Sequence, residues 1–378
     1  MEHGLIEGNG EMKKVMLVCG ARPNFMKISP IIQAIEKSGK LGYYLVHTGQ
    51  HYDEKMSGAF FEELGIPHPH IDLGVGSGSH AEQTAKIMIE FEKICMLEKP
   101  DLVLVVGDVN STMACTIVAK KLWVPVAHVE GGLRSHDMRM PEEINRMVTD
   151  AITDLFFTTD PDANENLRKE GVPESRIHFA GNVMIDTLRT NISRASESKI
   201  LERLGLKSKE YAFLTMHRPS NVDDQSVLSG LIGAFEYIEK KIKLVFPAHP
   251  RTLGRLEAFG LMDRIRNMKN LVITEPLGYL DMLQVNKHSF FALTDSGGLQ
   301  EETTVLGIPC ITMRENTERP ITVEIGTSEL VGSDPEKIRN AVDRIMAGHW
   351  KKGSLPEGWD GKASERIVKE LEGYLGGG

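Results

Sequence analysis

The sequence predicts an α/β fold built from two parallel sheets, and three observations support this. Short apolar and β-rich runs alternate with segments of helical periodicity along the whole chain, which is typical of βαβ units. The short runs are apolar at consecutive positions, as strands covered on both faces should be. A charged helical stretch at Asp186–Lys209 separates an early set of strands from a late one. We therefore expect two Rossmann-like domains with a ligand in the cleft between them.

The predicted elements follow from these runs. Strands of the first half are expected at Val15–Cys19, Tyr43–His47, Leu102–Val106, Val124–Val129, Leu155–Thr158 and Ile177–Ala180. Strands of the second half are expected at Tyr211–Met216, Leu244–Pro247, Leu271–Thr274, Phe290–Thr294 and Cys310–Met313. The domains are predicted at 12–186 and 187–362. A helix at 363–375 has apolar periodicity, and we expect it to pack back on the first domain.

The composition of the chain limits the classes of partner that we expect and indicates a cellular location. Of the 378 residues, 41% are hydrophobic and 26% are charged, and no window approaches the roughly 18 apolar residues of a membrane span. The start of the chain is acidic and glycine-rich, unlike a signal peptide. The four cysteines show no metal or disulfide spacing, so we expect a reducing cytoplasm and no metal site. A net charge of −9 argues against nucleic acid, and an anionic ligand would need a local basic pocket.

The stretch Leu293–Glu302 carries the strongest signal for a ligand. An apolar strand runs into the turn Ser296–Gly298 and then into a helix. Glycines at such a turn let backbone N–H groups approach a ligand, and the helix N-terminus favours a phosphate or diphosphate. Glu301 and Glu302, expected in the first helical turn, could accept hydrogen bonds from a ribose diol. Alternatively, the glycines shape a tight turn and the glutamates complement the helix dipole.

Carboxylates occur at three places in the first half. Asp108 and Glu130 follow predicted strands, and Glu142 opens a helix. Because the carboxyl ends of parallel strands share one edge of a sheet, we expect these groups to converge. Taken singly, Asp108 could cap a helix, and Glu142 could form a surface ion pair with Arg146.

Basic side chains follow strands in both halves. Arg22 and Lys27 come after the first predicted strand, and His217, Arg314 and Arg319 come after strands of the second half. The arginine fork suits phosphate oxygens, and lysine supplies a point charge. Each could be a solvated surface residue on its own. Together they could form the basic pocket that a net negative protein needs for an anion.

At these residues the chain resembles the non-hydrolysing UDP-N-acetylglucosamine 2-epimerase family, from about Val15 to Gly332. The resemblance implies the two-domain GT-B architecture and a homodimer. The motifs that carry it are Gly20-Ala-Arg-Pro23, Thr48-Gly-Gln-His51, Gly107-Asp108, His128-Val-Glu-Gly-Gly-Leu-Arg134, Pro141-Glu-Glu-Ile-Asn-Arg146, Gly181-Asn182, His217-Arg218, Thr294-Asp-Ser-Gly-Gly-Leu-Gln-Glu-Glu302 and Thr317-Glu-Arg-Pro320.

The resemblance also implies a UDP-sugar substrate and site residues, with no cofactor, no metal and no membrane partner. The residues implied to be catalytic are Asp108, Glu130, Glu142 and His217, of which the three carboxylates are implied to act around C2 of the hexosamine. Those implied to bind UDP are Arg22, Lys27, His217, Ser296, Gly297, Gly298, Glu302 and Arg319, with Glu302 on the ribose. Those implied to form an additional, activating UDP-sugar site are Gln50 and His51.

The segment Ser135–Pro141 departs from the pattern of bacterial family members. It is similar to archaeal members and to relatives that act on 3-substituted UDP-hexosaminuronates, which leaves the C3 and C6 substituents of the sugar open. Gly131 is a second departure, because the family usually has alanine there.

The expected chemistry starts from a C2 proton that is not next to a carbonyl. No G-x-G-x-x-G follows a predicted strand, which disfavours oxidation by a nicotinamide. We therefore expect elimination of UDP to a 2-acetamidoglucal and re-addition. The alternatives are a hydrolysing epimerase, a GT-B glycosyltransferase and a non-enzymatic UDP-sugar sensor.

Overall fold

The computed structural model describes residues 12–50 and 63–377, and it confirms the predicted α/β fold. The strands of the first sheet are β1 (Lys14–Cys19), β2 (Gly42–His47), β3 (Ile71–Asp72), β4 (Leu102–Val106), β5 (Val126–Val129), β6 (Leu155–Thr158) and β7 (Ile177–Phe179). All are parallel, in the order β3-β2-β1-β4-β5-β6-β7.

The second sheet repeats this design with fewer strands. Its strands are β8 (Tyr211–Thr215), β9 (Lys243–Pro247), β10 (Leu271–Thr274), β11 (Phe291–Thr294), β12 (Cys310–Thr312) and β13 (Ser328–Leu330). They are parallel and lie in the order β10-β9-β8-β11-β12-β13.

Helices connect the strands and cover both faces of each sheet. The described α-helices are α1 (Arg22–Ser38), α2 (His80–Glu98), α3 (Asn110–Lys121), α4 (Pro141–Ile152), α5 (Pro161–Lys169), α6 (Val183–Ala195), α7 (Ile200–Arg203), α8 (Pro219–Val222), α9 (Gln225–Glu239), α10 (Pro250–Ala258), α11 (Met262–Arg266), α12 (Tyr279–His288), α13 (Gly297–Leu306), α14 (Ile321–Glu324), α15 (Pro335–Met346) and α16 (Ala363–Gly376). Side-chain caps fix several starts, including Asn182 before α6 and Asp224 before α9. Among the described helices, none has the length and apolar content that a membrane crossing requires.

The strands are apolar at consecutive positions because each sheet is covered on both faces. In β4, Leu102, Leu104 and Val106 belong to the apolar cluster on one face, and Val103 and Val105 belong to the cluster on the other. This is the burial that the uninterrupted apolar runs predict.

Two strands were not predicted, β5 was predicted two residues too long, and β7, β8, β11 and β12 were each predicted one residue too long. β3 and β13 are edge strands of two and three residues, too short to give an apolar run. β5 begins at Val126 rather than Val124, because the N–H of Val124 donates to the carbonyl of Ala119 in α3 and Pro125 has no N–H to donate to a neighbouring strand.

α6 lies between the two halves. It packs against α1 of the first half and against α12 and α13 of the second. The predicted domain boundary at 186/187 therefore falls inside this helix. Asp186 of α6 accepts hydrogen bonds from the backbone N–H groups of Ala363 and Ser364, at 3.1 and 2.7 Å, and so holds the start of α16. α16 packs against α1 and α6.

Candidate active site

Both sheets present polar side chains where the strand order reverses. In the first sheet β1 and β4 lie side by side, with β2 and β5 on opposite flanks. β8 and β11 form the equivalent point of the second sheet. Ligands of open α/β sheets bind beyond the carboxyl ends of strands at such points. The candidate site is therefore built from the residues that follow these strands and β5.

Asp108 follows β4 and forms an ion pair with Arg146 of α4. Burial by itself would raise the pKa of Asp108. The nearby cations Arg146, Lys27 and Arg319 outweigh burial, so the pKa lies below its ordinary value. Asp108 does not cap α3, whose N-cap is the next residue, so the helix-cap alternative is wrong.

Glu130 follows β5 and is buried, with a φ of 72° in the left-handed region. Its Oε2 accepts a hydrogen bond from Lys27 Nζ at 2.6 Å. Its Oε1 is buried and has no hydrogen-bond partner among the described residues. A strained backbone and an unpaired buried oxygen are unusual, and both occur where a protein holds a reacting group.

The two adjacent glutamates of α4 have different surroundings. Glu143 is buried and accepts a hydrogen bond from the backbone N–H of Ser135 at 3.0 Å. Arg146 contacts Glu143 and Asp108, so the alternative surface ion pair between Glu142 and Arg146 is wrong. Glu142 is half-buried, and within the described part of the chain its carboxylate makes no ion pair.

In the second half, His217 after β8 is held by Asp295 after β11. His217 Nδ1 lies 2.9 Å from Asp295 Oδ1. The other oxygen of Asp295 accepts the backbone N–H groups of His217 and Arg218, at 2.9 and 2.8 Å. Burial would raise the pKa of Asp295, but His217 and these N–H groups lower it below its ordinary value. The ionised carboxylate fixes the hydrogen on Nδ1, which leaves Nε2 of the half-exposed ring to a ligand.

The glycine pair begins α13, with Ser296 as N-cap and no side-chain cap bond. A Cβ added to Gly297 would lie 2.7 Å from Arg319 Nη1 and 2.8 Å from Glu318 Oε1. A Cβ added to Gly298 would make an ordinary contact of 3.7 Å with Met184. Gly297 is therefore required by the close approach of the protein's own side chains. The approach of a phosphate to this turn stays a prediction.

Glu301 and Glu302 are buried, and neither lies in the first turn of α13, so the expectation of first-turn glutamates is wrong. Burial raises the pKa of Glu302 to about 7, and the neighbouring Glu301 adds to the rise. Asn286 Nδ2 approaches Glu302 Oε2 at 3.4 Å. Burial also raises the pKa of Glu301, which is bound to Nε of Arg319.

Arg319 joins the two halves. Its Nη1 donates to Glu318 at 2.6 Å, its Nε donates to Glu301, and its Nη2 lies 3.6 Å from Oε2 of Glu130 in the first half. Glu318 also accepts a hydrogen bond from Arg314 at 2.6 Å. The guanidinium of Arg319 is thus the direct contact between the α13 region and the carboxylate after β5.

Three further predicted residues lie at the limit of the described structure. The side chain of Arg22 and the whole of His51 lie outside the described residues. Gln50 is buried, and its Oε1 accepts hydrogen bonds from the backbone N–H and the hydroxyl of Ser111, at 3.0 and 2.7 Å. A role of Gln50 and His51 in an activating site stays a prediction.

The sequence analysis gave no role to Asp295, Glu318 or Glu143. Asp295 directly follows a buried strand, the same signal that selected Asp108, so it could have been found. Glu318 lies in a loop, and only the fold shows that it neutralises Arg314 and Arg319. Glu143 differs from Glu142 by one helical step of about 100°, which decides burial but leaves no trace in composition.

Comparison with known proteins agrees with this geometry. The sequence model of UDP-N-acetylglucosamine 2-epimerase matches residues 33–372. The chain belongs to this family. The predicted resemblance is confirmed, and with it an enzyme family of epimerases with two Rossmann-like domains.

Relatives of the family cover almost the whole chain. A Methanocaldococcus jannaschii protein named UDP-N-acetylglucosamine 2-epimerase is 45% identical over 363 residues, covering 95% of this chain and 98% of its own. The crystal structure of the Methanocaldococcus jannaschii UDP-GlcNAc 2-epimerase in complex with UDP-GlcNAc and UDP matches with a TM-score of 0.87 at 44% identity, covering 95% and 99%. A Pseudomonas aeruginosa protein named UDP-2,3-diacetamido-2,3-dideoxy-D-glucuronate 2-epimerase is 39% identical over 366 residues, covering 95% and 99%.

Proposed function

We propose that this chain interconverts UDP-N-acetylglucosamine and UDP-N-acetylmannosamine without hydrolysis. A base removes the C2 proton while the bond from C1 to the UDP oxygen breaks, which leaves UDP and a 2-acetamidoglucal with a C1–C2 double bond. Protonation of C2 from the opposite face and re-addition of UDP at C1 give the epimer. This chemistry needs carboxylates at C2 and cations at the departing diphosphate.

The observation that carries this proposal is the meeting of Glu130 with two cations from different halves. Lys27 contacts Glu130 from the first half at 2.6 Å, and Arg319 approaches it from the second at 3.6 Å. Proton-transfer groups and charge for a leaving group therefore lie within one small region. A glycosyltransferase or a UDP-sugar sensor would use the second-half residues but leave Asp108 and Glu130 without a role.

The site residues are proposed on the same basis. The carboxylates proposed to act around C2 are Asp108, Glu130 and Glu142. The residues proposed to hold UDP are Arg22, Lys27, His217, Ser296, Gly297, Gly298 and Arg319, with Glu302 on the ribose. Nε2 of His217 is the nitrogen that we assign to the diphosphate, because Asp295 occupies Nδ1.

Proton NMR of the protein with UDP-N-acetylglucosamine in D2O tests the proposal. We expect deuterium at C2 and the appearance of the manno epimer, both still linked to UDP. Free N-acetylmannosamine would indicate a hydrolysing enzyme instead. If the substrate is unchanged after long incubation with a stoichiometric amount of the protein, the proposal is contradicted.

A second candidate substrate is a 3-substituted UDP-hexosaminuronate. It is favoured by the 39% identity to the Pseudomonas aeruginosa relative and by the segment 135–141. In this segment Asp137 accepts a hydrogen bond from Asn316 of the second half at 3.2 Å and is paired with the exposed Arg139. Running both substrates in the D2O experiment separates the two candidates by their rates of C2 exchange.

We also infer a homodimer through the face formed by α2, α3 and α4, which pack against one another. This face exposes large apolar side chains, which single chains rarely do in a cluster. They are Ile89, Met96, Leu97, Trp123, Ile144, Met147 and Val148. Sedimentation equilibrium should give twice the chain mass for the wild type. A Leu97→Asp variant should shift the equilibrium to the monomer. A wild-type protein that is itself monomeric would contradict the inference.

The domain division and the location stay proposals as well. The proposed domains are 12–186 and 187–362, with the helix at 363–375 on the first, and the contact of α16 with α1 supports the last part. For the location, the four cysteines are buried and free of disulfides, in line with a reducing cytoplasm.

A further inference from the structure

His128 of β5 is a fully buried histidine whose two ring nitrogens both have partners. Nδ1 lies 2.6 Å from Oδ1 of Asp150 in α4, and Nε2 lies 2.8 Å from the carbonyl oxygen of Gly107. His128 stands two residues before Glu130 in the same segment, and Gly107 directly precedes Asp108. The ring therefore links the two turns that carry the proposed C2 carboxylates.

The Gly107 residue is held on both of its polar groups by β5. Its N–H donates to the carbonyl of Val129 at 3.0 Å, and its C=O accepts from His128. Gly107 has a φ of 66°, and a Cβ there would lie 2.7 Å from Nζ of Lys27. A small rotation of this glycine would thus move Asp108 and disturb Lys27, the partner of Glu130.

The proton pattern of the ring follows from its partners. A carbonyl oxygen can only accept, so Nε2 carries a hydrogen. Asp150 also accepts the N–H of Gly132 at 2.9 Å, and its Oδ2 lies 2.7 Å from Nη1 of Arg134. Burial would raise the pKa of Asp150, but His128 and Arg134 bring it below its ordinary value. The hydrogen bond between Asp150 and Nδ1 thus fixes the orientation of the ring and the direction in which Nε2 points.

We propose that His128, oriented by Asp150, is a positioning residue that holds the Gly107–Asp108 peptide and so sets the separation of the Asp108 and Glu130 carboxylates around C2. This inference rests on the proposed epimerase function. Nothing in the motif His128-Val-Glu requires it, because a histidine in a buried strand could serve packing alone. The hydrogen bond to Gly107 is what distinguishes positioning from packing.

Two variants separate the roles of the two nitrogens. An asparagine amide reaches the position of Nδ1 and can contact only Asp150, whereas a glutamine amide reaches the position of Nε2 and can donate to Gly107. We expect His128→Asn to lower kcat by about 10- to 100-fold with KM and UDP affinity little changed, since misplacement by about 1 Å costs this much. His128→Gln should recover most of kcat. Equal losses of kcat in both variants, or a loss confined to KM, would overturn the proposal.

A third variant covers the case in which the Asn variant does not fold. In Asp150→Asn, the amide oxygen can accept from Gly132 and Arg134 while the amide nitrogen donates to Nδ1, so Nε2 keeps its hydrogen and its direction. We expect kcat of this variant to stay within about threefold of the wild type, because positioning and not charge is at stake. Asp150→Ala, which frees the ring, should show the loss expected of His128→Asn. Identical kcat in the two Asp150 variants would overturn the proposal.

Histidine-selective 15N NMR of the substrate-free protein gives a readout that does not depend on the reaction. The wild type should show a slowly exchanging Nε2–H signal that both His128 variants lack and Asp150→Asn retains. Absence of hydrogen on this nitrogen would overturn the positioning role. A wild type that shows the signal but gives no C2 deuteration from either UDP-sugar would instead overturn the proposed function.

Discussion

Asp108 in the first half and Glu302 in the second are both carboxylates predicted to belong to the site, yet their surroundings move their pKa values in opposite directions. For Asp108, the cations Arg146, Lys27 and Arg319 outweigh burial and lower the pKa. For Glu302, burial meets no cation and raises the pKa to about 7. Pairs of titratable groups pushed apart in this way mark different tasks. The surroundings of Asp108 thus favour the ionised carboxylate, whereas Glu302 is a carboxyl whose pKa lies near neutral pH.

The cations of the two halves also differ in the carboxylates that they contact. Lys27 contacts Glu130, and Arg146 contacts Asp108 and Glu143, so both cations pair with carboxylates of the first half. Arg319 is shared among Glu301, Glu318 and Glu130, so its charge is neutralised by carboxylates of both halves. A diphosphate that binds at α13 must compete with these carboxylates. We infer that loss of the first-half carboxylates mainly lowers turnover and that loss of Glu302 mainly lowers UDP affinity.

The largest expected effect is on turnover in the first half. Asp108→Asn should lower kcat by about 10²- to 10⁴-fold, the range for loss of general acid–base catalysis, with UDP affinity unchanged. Coupled enzyme assay and calorimetric titration with UDP measure the two quantities. Glu142→Gln should behave in the same way. If a variant keeps more than about a tenth of the wild-type rate, the residue that it replaces is excluded as a general acid or base.

The pH dependence of stability isolates the raised pKa in the second half. The folded pKa of Glu302, about 7, lies above its ordinary value of 4.5. Between these values the folded protein binds a proton that the unfolded chain has released, so the stability from this group falls as pH rises through the window. As the pH rises from 4.5 to 7.5, the unfolding free energy of Glu302→Gln should therefore increase by about 3 kcal/mol relative to that of the wild type. Urea unfolding at both pH values measures this difference, and a constant difference would contradict the raised pKa.

Removal of the Glu302 carboxylate should weaken the binding of UDP. Glu302→Ala is expected to reduce UDP affinity by about 1.5–3 kcal/mol, the range for hydrogen bonds to a charged group, because the ribose hydroxyls lose their acceptor. Calorimetry with UDP checks this, with Asp108→Asn as the control that should not change affinity. Unchanged affinity in Glu302→Ala would remove the ribose assignment and the contrast between the halves.

The glycine pair offers a matched comparison inside α13. Gly297→Ala should lower the free energy of unfolding by about 1–3 kcal/mol, since its Cβ would press on Arg319 and Glu318. Gly298→Ala has ordinary space and should leave the fold as stable as the wild type or more so. Denaturant unfolding measures both. If Gly298→Ala weakens the binding of UDP while the fold of the variant is intact, then the diphosphate approaches the helix at Gly298.

The smallest expected effect concerns contact between the halves. Glu63 of the first half accepts the backbone N–H groups of Tyr279 and Leu280, at 3.0 and 2.6 Å, and so caps α12 of the second half. Glu63→Ala should cost about 1 kcal/mol and favour an open arrangement. Small-angle scattering should then show a larger radius of gyration that UDP reduces. Glu92→Ala, at an exposed position of α2, serves as the control, and equal radii in both variants would contradict a role of Glu63 in closure.

Much of the site could be predicted from the sequence because the relevant signals are local. Runs such as Leu102–Val106 show a strand covered on both faces, and the carboxyl end of such a strand at a reversal of strand order is where ligands bind. This placed Asp108, Glu130 and the Ser296–Gly298 turn at strand ends without any knowledge of contacts. Helical spacing alone led to the wrong partner for Arg146, because an i,i+4 neighbour on the surface is only one candidate for a long side chain.

The sequence by itself determined the two sets of strands, apart from the short edge strands β3 and β13, and the class of residue at the strand ends, because these depend on periodicity within a few residues. The tertiary structure alone decided in which direction the pKa values of Asp108 and Glu302 move, which glutamate of the pair at 142 and 143 is buried, and that Arg319 reaches Glu130. Coulomb energies depend on distance and burial in three dimensions, and residues far apart in the chain set both. The pKa of Glu302 and the hydrogen bond from His128 to Gly107 exist only once the strands lie side by side.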